Sequence, residues 1–443
     1  MSVAVMKTKA ELSFAENFGR VQEKLPGSPA VKQARQLAAE KFAELGLPHR
    51  RIEEWKYTDL RASVKDALPV RVGDETKLTI ADVIVALGPL AKLDAHRMVL
   101  VNAVYRKELS SPDQLAGLEL EDLAGVLSRG TEASAELTGL TARDDDAVLA
   151  LNTAYMTDGA VARVETGVQL EKPLLIAHVR AGSEPGFVAQ RNVIDIGPKA
   201  SAQIIEAFVS LPGAAGEGQS NAATQITVGD EAKVLHVKCA ADTGEGITHL
   251  SNWMIRLGRE TEYSGFQLTQ GVGLARNQIF AAFDGEDTKF DLSGVFLARG
   301  REHIDTTLVV DHAVPSCESR ELFKGVLDDQ SRGVFQGKII VQQIAQKTDG
   351  KQMSQGLLLS PEAEFDSKPE LEIFADDVAC GHGATCTELD KDLMFYFKSR
   401  GIPEDIARGL LIESFIGEAV EKVEDEAIAG AIMEFARAWL ARK

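Results

Sequence analysis

From about residue 160 onward the sequence repeats one small unit, a turn of glycine and charged residues followed by strand-like alternation. Such units begin near Gly197, Gly229, Gly258, Gly285, Gly300, Gln330 and Ser360, as in Ala232-Lys-Val-Leu-His-Val237 or Thr288-Lys-Phe-Asp-Leu292. Most intervals lie near thirty residues and one is about half that, a period in the range of roughly 20–50 that marks a stacked array. A single open sheet of so many strands would curl or split. A parallel β/α fold would need helices between the strands, and none is patterned there. A β-helix or β-solenoid needs neither; a large β-sandwich is the alternative on pattern alone.

The flanks read differently. Residues 8 to 48 carry helical spacing, with Pro26-Gly-Ser-Pro29 separating two segments. A mixed region follows, with an apolar piece at Met98-Val-Leu-Val-Asn102 and a helical stretch near 146 to 156. After Thr387, Asp390 to Ser399 is helical and ends at Gly401, a C′ glycine. Pro403-Glu-Asp405 opens another helix with acids at its positive end, and a last helix runs from about Asp425 to Leu440. The predicted organisation is therefore a helical and mixed region over 1–160, a β core over 161–387 and a helical domain over 388–443.

Forty-eight basic residues against 67 acidic ones give a net charge of −19. That balance argues against nucleic acid or an anionic membrane as the main partner. No apolar run approaches the ~20 residues of a membrane span, and Met1-Ser-Val-Ala-Val-Met-Lys7 has no signal-peptide core. Four cysteines, at 239, 317, 380 and 386, are too few and scattered for a secreted disulfide framework. A cytoplasmic protein with reduced thiols is expected.

The most chemically suggestive run is Leu371-Glu-Ile-Phe-Ala-Asp-Asp-Val-Ala-Cys-Gly-His-Gly-Ala-Thr385. Cys380 and His382 stand two apart between glycines, so in an extended chain they project from one face. Thiolate and imidazole together suit soft metals and iron–sulfur clusters, although two ligands fall short of the roughly four of a closed site. This run, with Ser367-Lys-Pro-Glu-Leu-Glu-Ile373, Leu393-Met-Phe-Tyr-Phe-Lys-Ser-Arg-Gly-Ile402, Cys317-Glu-Ser-Arg320, Phe323-Lys-Gly-Val326, Arg332-Gly-Val-Phe-Gln-Gly-Lys338, Gln346-Lys-Thr-Asp349 and Arg51-Ile-Glu-Glu-Trp-Lys-Tyr-Thr-Asp-Leu60, resembles the SufB/SufD family of SUF iron–sulfur assembly scaffolds. The His-Gly-Ala-Thr form is nearer its SufD branch.

The resemblance implies a mainly β fold, a right-handed parallel β-helix core flanked by N- and C-terminal α-helical regions. It implies a non-catalytic scaffold that pairs with SufB and binds the ATPase SufC, with a homodimer the alternative in isolation. His382, with Cys380 beside it, would ligate a nascent iron–sulfur cluster shared with SufB. Sulfur would arrive as persulfide, and ATP-driven closure at SufC would open the interface. The stripe Ile406, Leu410, Leu411, Phe415 and Ile416 on the helix after Pro403 offers a SufC contact, with Leu410, Leu411 and Phe415 at its centre.

Nothing carries over to Cys386, which reads as an inert thiol, and Cys239 and Cys317 read as core residues. His236, His303 and His312 are expected at the solvated surface. Gly333-Val-Phe-Gln-Gly337-Lys338 is one residue short of a phosphate loop and lacks its Ser or Thr, so no ATP site is expected. A β-helical carbohydrate-active enzyme is the rival class. An aromatic content of 6% gives little for sugar stacking.

Overall fold

A computed structural model describes residues 6–73, 76–111, 114–129, 145–242 and 244–441. Most of the amino-terminal segment read for a signal peptide, and residues 130–144 of the mixed region, lie outside them. Among the described residues the strands form two ten-stranded sheets. The chain alternates between them: Lys233–Ala240 lies in one, Gly244–Leu257 in the other, and Glu262–Gln270 returns to pair in parallel with Lys233–Ala240. The result is a β-solenoid of about eight turns over residues 161–388, with helical regions at both ends.

The repeated glycines are explained by how the corners stack. Gly197, Gly229, Gly258 and Gly285 each precede by two positions a residue in the left-handed region: Lys199, Glu231, Glu260 and Asp287. A Cβ on Gly229 would sit 2.7 Å from the backbone nitrogen of Pro198, and one on Gly285 2.1 Å from that of Arg259. Each corner thus rests on the backbone of the corner before it, where only glycine fits. The left-handed residues pay for themselves by bonding onward: Lys199 N–H donates to Asp230 O, Glu231 to Arg259 O and Glu260 to Glu286 O, all at 2.8–2.9 Å. The single half-length interval, Gly285 to Gly300, crosses from this corner to the opposite one, between Lys289–Ala298 and His303–His312.

Along Lys233–Ala240, Val234, His236 and Lys238 point into the lumen, while Leu235, Val237 and Cys239 point outward against the carboxy-terminal helices. Those helices, Glu404–Val420 and Glu426–Ala441, cover the sheet with Ile412, Ile416, Phe435 and Trp439. The histidines expected at the surface are therefore a misreading for His236 and His312, which are fully buried. Alternation in this strand separates lumen from helix contact rather than core from water.

The Arg51–Leu60 run fixes the amino-terminal region to the outer face of the other sheet. Glu54 carbonyl oxygen accepts from Arg276 Nη2 (2.7 Å) and Gln336 Nε2 (3.2 Å). The Arg276 guanidinium lies 4.4 Å over the Trp55 ring and pairs with buried Asp305. Thr58 bonds His303 Nε2 at 2.8 Å, and Glu53 pairs with Lys368 at 2.7 Å. These contacts reach across four successive strands of one sheet.

Glu206 shows how a lumenal polar group is satisfied. Its carboxylate accepts from Asn192 Nδ2 (2.6 Å), Trp253 Nε1 (2.8 Å), His236 Nε2 (2.8 Å) and the Thr224 hydroxyl. The Tyr263 hydroxyl and His236 Nδ1 share a hydrogen bond of 2.8 Å. Burial alone would raise the Glu206 carboxyl, but the hydrogen bond and charge of His236, with Thr224 and His178, outweigh it and bring it to about 2. A depressed folded value contributes stability above the ordinary carboxylate range, and that stability is lost as pH falls toward 2. Glu206→Ala should cost about 3 kcal/mol or more by stranding four donors. Glu206→Gln should flatten the acid limb of stability below about pH 4.5. Urea unfolding across pH checks both, and an unchanged acid limb in Glu206→Gln would remove this carboxylate from the account.

Candidate functional site

The two ends of the solenoid are built differently. At the amino-terminal end both sheets close with antiparallel strands: Val104–Tyr105 on His96–Val101 in one, Leu118–Asp122 on Ala160–Val164 in the other. At the other end the last strands, Glu364–Ile373 and Ala379–Glu388, have no partner on their outer sides among the described residues. Edges of this kind expose unpaired N–H and C=O groups and invite another chain.

Backbone direction shows which groups are free. Glu364 and Phe374 N–H donate back to Ser331 and Val341. In a parallel ladder the alternate residues, Leu371 and Ile373 among them, then face outward. Pro369 occupies one of these outward positions, where its missing N–H costs no ladder bond. In the other sheet Ala379 N–H donates back to Thr348, so the main-chain groups of Cys380, His382 and Cys386 face the open side.

Their side chains point the other way, toward the lumen. Cys380, His382 and Cys386 stand in register with Gly350, Gln352 and Gly356, positions buried inside the preceding turn. His382 and Cys386 are exposed only because no further turn covers them. Cys380 is half-buried and packs beside Ile339, Val341, Ala345 and Ala375. Burial pushes its thiol upward, the Gly350 backbone opposes, and the charges of Asp349 and Glu321 push further up. Cys386 is raised by burial. The glycines flanking His382 face outward, and Gly383 leaves room for the Met353 side chain, whose Cε would lie 2.6 Å from a Cβ.

Among the described residues no three His, Cys, Asp or Glu side chains form a closed metal site. What the end presents is an imidazole and a thiol, aligned on one strand. Cys239 faces the carboxy-terminal helices rather than the lumen. Cys317 is buried at a corner, its Sγ 3.5 Å from Gly285 O and 3.4 Å from Pro315 O. Burial raises these two thiols to about 12 and about 11, so neither is a ready nucleophile. The near-match to a phosphate loop lies within the strand Arg332–Val341, and Lys338 there pairs with Glu372 at 2.6 Å.

The helix stripe divides. Ile416 is buried, together with Ala407, Ile412, Ala419 and Val420. Phe415 is half-buried with Lys324 Nζ 4.4 Å above its ring, and Lys324 pairs with Glu418. Leu411 is half-buried, while Leu410 and Ile406 are exposed. The helix Lys391–Ser399 has no buried residue and adds exposed Phe395 and Tyr396 to the same region. The aromatic part of this patch was not singled out in the sequence, though Leu393-Met-Phe-Tyr-Phe397 is apolar on too many sides for one small contact face.

Glu321 was also passed over. It faces the lumen between Ser319 and Phe323, two strands from His382 with Gln352 between them. An acid at an inward position of the Cys317-Glu-Ser-Arg-Glu321 strand was the available signal.

Comparison with known proteins agrees with this architecture. The chain matches the model described as "SUF system FeS cluster assembly, SufBD core domain" over residues 178–415, and the SufBD protein N-terminal region over 8–176. It is 30% identical over 418 residues to the iron-sulfur cluster assembly protein SufD of Escherichia coli, covering 92% of each chain. It is 29% identical over 412 residues to an iron-sulfur cluster assembly SufBD family protein of Synechocystis, covering 90% of this chain and 89% of that one. SufD of Bacillus subtilis is 24% identical over 413 residues, with 90% and 91% covered. The chain belongs to the SufBD family of SUF-system iron–sulfur cluster assembly proteins.

Proposed function

We propose that this protein is a non-catalytic scaffold subunit whose bare solenoid end pairs with SufB and presents His382, with Cys380 beside it, to a nascent iron–sulfur cluster. The observation that carries this is the asymmetry of the two ends. Antiparallel strands close one end, while the other leaves two strand edges open and puts an imidazole and a thiol on the last inward row. A cluster takes about four protein ligands, mostly thiolates. One imidazole and one thiol call for a partner that supplies the rest. Strand-edge pairing gives affinity through the main chain and leaves the side chains free for chemistry.

His382→Ala, expressed with its partner subunits and purified anaerobically, should lose most of its iron and sulfide while the complex stays assembled. Cys380→Ala should have the smaller effect. Normal cluster content in the assembled His382→Ala complex would sink the ligand assignment.

Ile373→Pro removes an outward N–H and no internal ladder bond. It should leave the isolated chain folded and weaken copurification with SufB. Glu372→Pro breaks an inward bond and should destabilise the chain itself. Stoichiometric SufB recovery with a folded Ile373→Pro chain contradicts the edge-pairing model.

The second contact proposed is with SufC, through the patch of Phe395 (73% exposed), Ile406 (53%) and Leu410 (45%). Leu411 and Phe415 then act from behind, as packing that holds Leu410 in place. A large aromatic anchor at such a contact is worth about 2 kcal/mol, so Phe395→Ala should weaken SufC binding roughly 30-fold with no loss of thermal stability. Phe415→Ala should lower stability first. Unchanged SufC affinity in both Phe395→Ala and Leu410→Ala would place the ATPase elsewhere.

A further inference from the structure

On the sheet that meets the amino-terminal region, the charge of the outer face changes sign from one turn to the next. Val272–Phe283 contributes Arg276, His303–His312 contributes Asp305 and Asp311, and Arg332–Val341 contributes Arg332 and Lys338. The last strand, Glu364–Ile373, carries Glu364, Asp366, Glu370 and Glu372 around Lys368. Register fixes the face. Gln336, which reaches out to Glu54 O, stands opposite Lys368, so the even-numbered residues of both strands point outward.

Opposite signs on neighbouring turns meet as ion pairs. Arg276 holds Asp305, Arg332 holds Asp366 at 2.6 Å and Glu364 at 3.4 Å, and Lys338 holds Glu372 at 2.6 Å. The final row has no next turn to answer it. Its four carboxylates keep 30–67% of their side-chain surface exposed, and among the described residues no strand lies on their free side. The other free strand is uncharged on this face, where Gly381, Gly383, Thr385 and Thr387 point outward.

We propose that the acidic row selects the occupant of the edge: a strand with Lys or Arg at alternate outward positions, taken in preference to a second copy of this chain. The inference rests on the edge-pairing reading above and adds what the partner strand must carry. Main-chain bonds bind any strand, so side-chain charge is left to decide between strands.

A second copy is the natural competitor, because it offers the same edge. Two identical strands about a two-fold axis pair antiparallel, outward face beside outward face. Centred on Lys368, the pairing sets Glu364 against Glu372, Asp366 against Glu370 and Lys368 against itself. Centred on Asp366 or Glu370, it sets that acid against its own copy. Centred on Ser367 it opposes Glu364 and Glu370, and centred on Pro369 it opposes Asp366 and Glu372. Each register puts carboxylate against carboxylate, and like charges directly opposite destabilise a strand pair. The chain's net charge of −19 adds to the repulsion between copies. A basic strand meets neither penalty.

The test is Glu364→Lys combined with Glu370→Lys in the full-length chain. Both changes leave the inner cations paired, Arg332 with Asp366 and Lys368 with Glu53. In the register centred on Lys368, every acid–acid contact of the double variant becomes an ion pair. Its self-association, read by sedimentation equilibrium, should tighten at least about tenfold, and its affinity for SufB should fall roughly tenfold. Adding Ile373→Pro should remove the gained self-association. Should the lysine pair prevent folding, Glu364→Gln with Glu370→Gln should move both quantities the same way by less. Wild-type self-association in a folded variant, a gain that survives Ile373→Pro, or SufB affinity that does not fall overturns the proposal. Failure of edge pairing itself reads differently, because SufB then binds the single Ile373→Pro chain normally.

Discussion

Every part of this molecule depends on the parallel backbone ladder that joins one turn of the solenoid to the next. The ladder satisfies the N–H and C=O groups of each strand with those of its neighbours, and the stacked corners continue it through bonds such as Glu231 N–H to Arg259 O. A ladder of this kind has no internal reason to stop. Its ends must be closed by a different hydrogen-bonding pattern or by another chain. Here antiparallel strands close the first end, while among the described residues no strand covers the last turn. The same constraint that builds the core thus exposes the row on which Cys380 and His382 sit.

Inside the ladder, position decides chemistry. Glu206 and Glu321 occupy inward positions of strands in the same sheet. Glu206 is ionised because Asn192, Thr224, His236 and Trp253 surround it with donors. Glu321 has hydrophobic Phe323 and Leu292 beside it and an amide, Gln352, in the next turn. One carboxyl is held by four donors, while neither oxygen of the other has a hydrogen-bond partner among the described residues.

The two outer faces are covered by different means. The carboxy-terminal helices bury an apolar stripe of Ile412, Ile416, Phe435 and Trp439 on one sheet. The amino-terminal run uses a cation over a ring, main-chain acceptors and ion pairs on the other, where Arg276 and Asp305 are buried together. Lys324 links the first arrangement to the lumen: its strand carries Glu321 and Phe323 inward while its ammonium meets Phe415 and Glu418 outside.

The repeat of turn and strand, the corner glycines and the run ending in Cys380-Gly-His382 were legible from residue order, because hydrogen-bond geometry and steric limits at corners act over a few residues. The helix boundaries were equally local: Asp390 caps the helix at Lys391, and Gly401 stands just beyond its end in the left-handed conformation. Burial was not legible in the same way. Val234-Leu-His-Val-Lys238 alternates as a half-exposed strand would, yet the lumen takes one face and helices some 180 residues later take the other. The division of the Ile406–Ile416 stripe, and the row that puts Glu321 and Gln352 below His382, depend on which strand lies above which. Sequence by itself determined the repeating element and its termini. Only the tertiary structure decided which side chains meet, because contacts between turns join residues about thirty positions apart, and nothing in the local chain specifies them.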